Sequence, residues 1–107
     1  LVQRFVDATI TGWSQYLRGQ DTAAANALIV RDNPDMTPDR IAYAVKAMNE
    51  RGIVLSGDAE RLGIGAMTDE RWQSFYASMR DAGVAAPGID PARAYSLRFV
   101  NKRLGLS

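Results

Sequence analysis

Helix punctuation, more than any other feature, limits what this chain can fold into. Two steps, Thr37-Pro38 and Asp90-Pro91, place a side chain able to cap a helix directly before a proline. Proline fits the first turn because its missing N–H would find no intrahelical partner there in any case, so each step marks a helix start. Thr68-Asp69-Glu70 is a third start: the threonine can accept from an orphan backbone N–H, and the two carboxylates oppose the positive end of the helix dipole. Gly19, Gly52, Gly83 and Gly105 stand where left-handed stops are needed.

Between these marks the apolar residues recur at helical spacing. Val2, Val6, Ile10, Trp13 and Leu17 follow one another at intervals of four and three, with Phe5 and Tyr16 widening the stripe. That pattern predicts a helix over 1–17 with one broad apolar face. Gly12 lies inside it at a cost of about 1 kcal/mol relative to alanine, which points to a backbone or ring packed closely against it. Asp21 is read as the cap of a second, alanine-rich helix over 22–30, closed by Asn33-Pro34. The third helix starts at Pro38, carries Ile41, Ala44, Val45 and Met48, and stops at Gly52. Residues 53–67 read as an ordered connection, with a short extended piece over 53–55 and one helical turn over 58–62. The fourth helix runs from Thr68 to Gly83 on a stripe of Trp72, Phe75, Tyr76 and Met79. The fifth starts at Asp90-Pro91, carries Tyr95, Leu97, Phe99, Val100 and Leu104, and stops near Gly105. The expectation is an all-α fold: about five helices in a small compact array, forming a single helical domain over 1–107.

A chain of 107 residues suits one small domain, which would bury roughly two-thirds of the surface its unfolded form exposes. Its 13 basic and 12 acidic residues are spread along the whole length, leaving no basic block to attract nucleic acid. Cysteine and histidine are both absent, which excludes disulfides, thiolate nucleophiles, zinc sites of the usual types and a Ser-His-Asp triad within this chain. No apolar run approaches the roughly 20 residues that span a bilayer. A start at Leu1, directly inside a periodic helix and without signal-peptide character, leads us to expect a segment of a longer polypeptide.

Candidate chemistry is sparse. Asp58 with Glu60, and Asp69 with Glu70, are possible acid–base pairs, but their positions at helix starts favour capping and dipole compensation. Gly57, Gly63 and Gly65 match no phosphate-binding fingerprint and read as turn formers. Arg40, Arg51, Arg71 and Arg93 fall near helix ends or on polar faces, with no cluster aimed at an anion. Most aromatic residues lie on apolar stripes and read as core. Trp13, beside Gly12, is the candidate ligand contact, placed to stack on a flat molecule. The residues suggest no catalytic group, no metal ligand and no cofactor.

Three stretches, in order, resemble one family. Ala8 to Trp13 reads A-x-x-x-G-W and is followed by Tyr16-Leu17; Gly65 to Trp72 reads G-x-M-T-x-x-R-W; Asp90 to Val100 reads D-x-x-x-A-Y-x-x-x-F-V. Together they resemble the C-terminal part of ABC-transporter substrate-binding proteins for nitrate, sulfonate/taurine and thiamine-pyrimidine-type ligands. That family usually follows the first helix with D-P-x-x-A, where this chain has Gln20-Asp21-Thr22-Ala23-Ala24 and no proline. The resemblance implies a two-lobed periplasmic-binding-protein fold, a periplasmic or secreted location, a small-molecule ligand and an ABC permease as partner. It also implies that most of the ligand cleft belongs to sequence outside this chain, so the helices brace the lobes and no reaction is catalysed. An isolated chain would then leave apolar surfaces to self-associate. The reading from a different class is a free-standing helical module that recruits a protein through an apolar groove.

Overall fold

The computed structural model describes residues 1–106. It is all-helical, with 56% of residues in helix and no strand among the described residues. Five α-helices follow in order: α1 (Val2–Leu17), α2 (Ala23–Asp32), α3 (Pro38–Glu50), α4 (Ala59–Leu62) and α5 (Asp69–Asp81), with a 3₁₀ turn at Pro91–Arg93. Thr37 and Thr68 cap α3 and α5 as their sequence contexts predict, each accepting a 3.2 Å hydrogen bond from the backbone N–H three residues on. The single turn expected over 58–62 forms as α4, but the extended piece expected over 53–55 does not. Instead the Ile53 N–H closes the end of α3 on the Met48 carbonyl, with Gly52 in the left-handed conformation.

The start of α2 differs from expectation. Thr22, not Asp21, precedes its first turn, and it makes no side-chain cap bond. Asp21 sits instead at φ 51, inside the reversal that begins at Gly19, so its carboxylate is not placed to cap.

The fifth long helix does not form. Asp90 caps only the three-residue 3₁₀ turn, accepting from the Ala92 N–H at 3.1 Å. Beyond it, residues 94–106 form a non-helical strap. Asn101 and Arg103 take left-handed backbone at φ 62 and φ 60, which an α-helix cannot accommodate. The strap bonds to other parts of the chain: the Arg103 N–H donates to the Leu62 carbonyl at 2.8 Å, and the Leu104 carbonyl accepts from the Ile64 N–H at 2.9 Å. It also runs beside α1, where Gln3 donates to the Phe99 carbonyl and Arg18 to the Gly105 carbonyl. From Gln3 to Arg18 a helix advances about 22 Å. Six residues of extended chain cover about 20 Å, whereas six helical residues would cover only about 9 Å. The irregular strap follows α1 with the long Gln3 and Arg18 side chains bridging the remaining distance.

What little core exists lies along this seam. Ile10 and Ser14 of α1, Ala59 of α4 and Ile64 are buried there, and Ile41 is buried separately in α3. Gly63 lets the strap approach: a Cβ at that position would stand 2.7 Å from the Leu104 N and 2.8 Å from the Arg103 Cα. Helix α3 packs against both α1 and α2, and α5 packs against the 3₁₀ turn.

The array is not compact. Its radius of gyration is 17.1 Å and its longest dimension 48 Å, against about 13 Å for the radius of a compact domain of this length. Accessible surface is 7909 Å², where a folded monomer of 11.7 kDa exposes about 5,900 Å². About 2,000 Å² is therefore uncovered beyond the norm, and just over half of the unfolded chain's surface is buried in place of two-thirds. The physical reason lies in the apolar stripes. On α1 the face centred on Ile10 and Ser14 is covered by the strap, while Val2, Phe5 and Trp13, a third of a turn away, face outward.

Candidate functional site

Trp13 lies in an open apolar groove between α1, α2 and α3. The groove encloses about 670 Å³ and is lined by Thr9, Gly12, Trp13, Leu28, Ile29 and Met48, among others. Trp13 is 43% exposed, and the ring of Tyr16 meets it edge-on at 6.4 Å. Their spacing of three places both rings over the same side of α1. The Tyr16 hydroxyl donates to Asn26 Oδ1 at 2.6 Å, tying α1 to α2 and fixing one wall of the groove. The close neighbour expected at Gly12 is absent. No atom lies within 4 Å of where its Cβ would stand, so the glycine leaves a gap in the groove floor.

Two further concavities lie outside this groove. One, of about 770 Å³, lies on the other side of the Tyr16–Asn26 bond, against Val30, Ile41, Val45 and Lys46. The other, of about 550 Å³, lies at the opposite end, walled by Val54, Met67, Trp72 and Phe75. An ion pair sits at its edge, Arg71 Nε to Asp58 Oδ2 at 3.0 Å.

Trp72 is positioned differently from Trp13. Its ring stacks flat on Tyr95, with centroids 4.6 Å apart and planes 5° from parallel, and its indole N–H points to the Met67 sulfur. The Tyr95 hydroxyl donates to the Asp69 carboxylate. That hydrogen bond, then burial, then the negative charges of Asp69, Glu70 and Asp90, push the Tyr95 pKa up to about 12. Tyr76 serves a similar bracing purpose, donating to the Ala86 carbonyl at 2.8 Å and accepting from the Ile89 N–H.

The carboxylates considered as acid–base pairs are thus used separately. Asp58 pairs with Arg71, and Asp69 holds Tyr95. Gly57, Gly63 and Gly65 all have positive φ and form turns. Among the described residues, no three carboxylates, histidines or cysteines gather to hold a metal ion, and no helix is long and apolar enough to cross a membrane. The residue that pattern reading missed is Asn101. Its side chain accepts from the Met67 N–H at 3.1 Å and donates to the Met67 carbonyl at 2.8 Å, locking the strap to the start of α5. Its one sequence signal is that asparagine tolerates left-handed backbone.

No family model, curated protein or solved structure matches the chain. Function therefore has to be argued from the geometry. The groove at Trp13 is apolar, shallow and without a convergent polar group at its floor. It can hold a flat or helical apolar surface by burial alone, but supplies little to orient a small polar molecule.

Proposed function

We propose that this chain is the C-terminal helical segment of a periplasmic substrate-binding protein that delivers a small organic molecule, such as a sulfonate, nitrate or pyrimidine, to an ABC permease. In that reading the helices brace the two lobes, the ligand cleft belongs to sequence outside this chain, and no reaction is catalysed. The observation that carries it is an accessible surface about 2,000 Å² above the norm for this size, together with twelve exposed large hydrophobic side chains against four buried hydrophobic residues among those described. A chain that must support two sheet-containing lobes needs such faces, whereas a self-sufficient small domain would have closed over them. Affinity in a two-lobed protein comes from contacts made on both sides of the ligand in the closed form, so a brace lacking the cleft supplies none of it.

A second reading, a free-standing helical interaction module, is favoured by the open groove between α1, α2 and α3, where Trp13, Leu28, Ile29 and Met48 offer apolar surface to a partner. Sequencing the coding region around this segment, and expressing the protein it encodes, separates the two. The transport reading expects two lobes preceding the segment and micromolar binding of a sulfonate, nitrate or pyrimidine by calorimetry, with none tighter than about millimolar for the 107-residue chain. Micromolar binding by the isolated chain, or a coding region without such lobes, overturns it.

A further inference from the structure

We propose that the concavity walled by Val54, Met67, Trp72 and Phe75 binds a free α-amino acid with a large apolar side chain, its carboxylate on Arg71 and its ammonium on Asp58. The site is separate from the cleft that the transport reading places outside this chain, and does not depend on that reading.

The three concavities differ in what their edges offer a ligand. The groove at Trp13 has no charged residue among those that line it. The second contains Arg31 and Lys46, two cations already paired within their own helices, with Asp32 and Glu50. Of the three, only the third brings opposite charges together at its edge, with Arg71 Nε 3.0 Å from Asp58 Oδ2.

That pair is only half engaged. Among the described residues, the two Nη atoms of Arg71, the Oδ1 of Asp58 and the neighbouring Ser56 hydroxyl take no other hydrogen bond. Asp58 precedes α4 without capping it, so its carboxylate is not committed to the helix. The Nη atoms form the planar fork that suits a carboxylate. Nη2 lies 3.7 Å from where a Cβ on Gly57 would stand, and glycine there keeps the guanidinium uncovered on that side of the concavity.

Below the edge the walls are apolar and largely set in place. Trp72 is held by its stack on Tyr95 and by its N–H on the Met67 sulfur, so little rotamer freedom is lost when a ligand settles against it. Phe75, three residues on and 60% exposed, lies on the same side of α5. The volume, about 550 Å³, is that of a small-molecule site.

Charge selects the occupant. An apolar anion would meet Arg71 but stand against the Asp58 carboxylate, and an apolar amine would meet Asp58 but stand against the guanidinium. A wholly apolar molecule would leave both charges unanswered. A free amino acid carries carboxylate and ammonium on one carbon, side by side as the edge presents their partners, and its side chain is left for the walls. The Arg71 and Asp58 side chains are 71% and 31% exposed, so solvent screens the contacts and the expected affinity is about millimolar.

Titrating the isotope-labelled 107-residue chain with phenylalanine to about 20 mM, followed by amide NMR, tests the proposal. The expected result is saturable shifts at the Gly57 and Met67 amides and the Trp72 indole N–H, with a dissociation constant of about 1–5 mM. Phenylpropionate, phenethylamine and glycine lack the ammonium, the carboxylate and the ring in turn, and each should bind at least about fivefold more weakly. Arg71→Gln and Asp58→Asn should each weaken phenylalanine by a similar factor. Asp58→Asn should also strengthen phenylpropionate at least about twofold, an inversion that loss of local order would not produce. Absence of saturable shifts, equal binding of phenylalanine and phenylpropionate, or shifts centred on the Trp13 indole in place of Trp72 overturns the proposal. The transport reading is decided by the lobes and ligand of a longer protein containing this segment, so failure here leaves it standing, and the converse.

Discussion

Replacing Gly63 by alanine tests whether the strap, and not helix-to-helix packing, holds the chain together. Gly63 has φ 103 and ψ 165, a region open essentially to glycine alone. An L-residue held there costs about 1–3 kcal/mol. The added methyl meets backbone, not a side chain that can swing away: Leu104 N at 2.7 Å, Arg103 Cα at 2.8 Å and Arg103 C at 2.9 Å. Relief requires the strap to move off, and that breaks the Arg103-to-Leu62 and Ile64-to-Leu104 hydrogen bonds, worth about 1 kcal/mol each. If strain and lost bonds both count, the total is about 3–5 kcal/mol. That is a large share of the roughly 5–15 kcal/mol a chain of this length has to lose. Urea unfolding followed by circular dichroism measures the loss, and hydrogen exchange at the Ile64 and Arg103 amides locates it. A destabilisation below about 0.5 kcal/mol, or protection retained at both amides, would refute the assignment of the strap as the main tie.

Three further outcomes follow from the same geometry. Asn101→Ala removes both bonds to Met67 and strains a residue at φ 62, for an expected loss of about 2–3 kcal/mol in urea unfolding; Asn101→Gly restores the backbone freedom but not the bonds, and should fall between that variant and the parent. Gly12→Ala meets no neighbour within 4 Å in the monomer and should stabilise it by about 0.5–1 kcal/mol, measured at concentrations low enough to keep chains apart. Tyr95 has a folded pKa raised from 10.0 to about 12, so its neutral form is favoured by folding. The stability this contributes is complete below pH 10 and is lost as pH climbs from 10 towards 12. Thermal melts should decline across that window, and Tyr95→Phe should remove that part of the decline.

How much of this was readable in the sequence depended on whether the cause was local. The starts of α3 and α5 were legible because Thr37 and Thr68 act within three residues of themselves, through bonds the structure contains. The final helix was not, for two reasons. Asp90-Pro91 signals a turn start without saying how many turns follow, and here one 3₁₀ turn satisfies both residues. The apolar residues after it, Tyr95, Leu97 and Phe99, are two apart, and their burial alternates with exposed Ser96 and Arg98. A period of two belongs to extended chain, yet Tyr95 to Phe99 and Leu97 to Val100 to Leu104 also fit helical intervals, so the pattern is compatible with either. Long-range partners then decided the matter, since the strap's hydrogen bonds go to Leu62, Ile64 and Met67. Trp13 shows the same limit at the candidate site. Periodicity places it on an apolar stripe, but a stripe does not reveal whether anything covers it.

That limit bears on function through the way the exposed residues are distributed. Had Val2 and Phe5 been covered, and the groove at Trp13 closed, by α2 and α3, the first helix would be wrapped on all sides and the chain would be a closed bundle. Instead α2 and α5 contain no buried residue, and apart from Ile41 of α3 the enclosed part of the molecule is the narrow seam between α1, the Ile64 region and the strap. The seam fixes α1 rigidly at Gln3, Ile10 and Arg18. The helices attached to it are free to present apolar faces without contributing to the core. Local opening free energy follows burial, so α2 and α5 should exchange amide hydrogens well before α1. A rigid spine with two loosely closed flanks is poorly suited to enclosing a small molecule tightly, which needs walls that converge. It is well suited to lying against a larger body, because the surface left open is long, uncharged along α1 and already ordered.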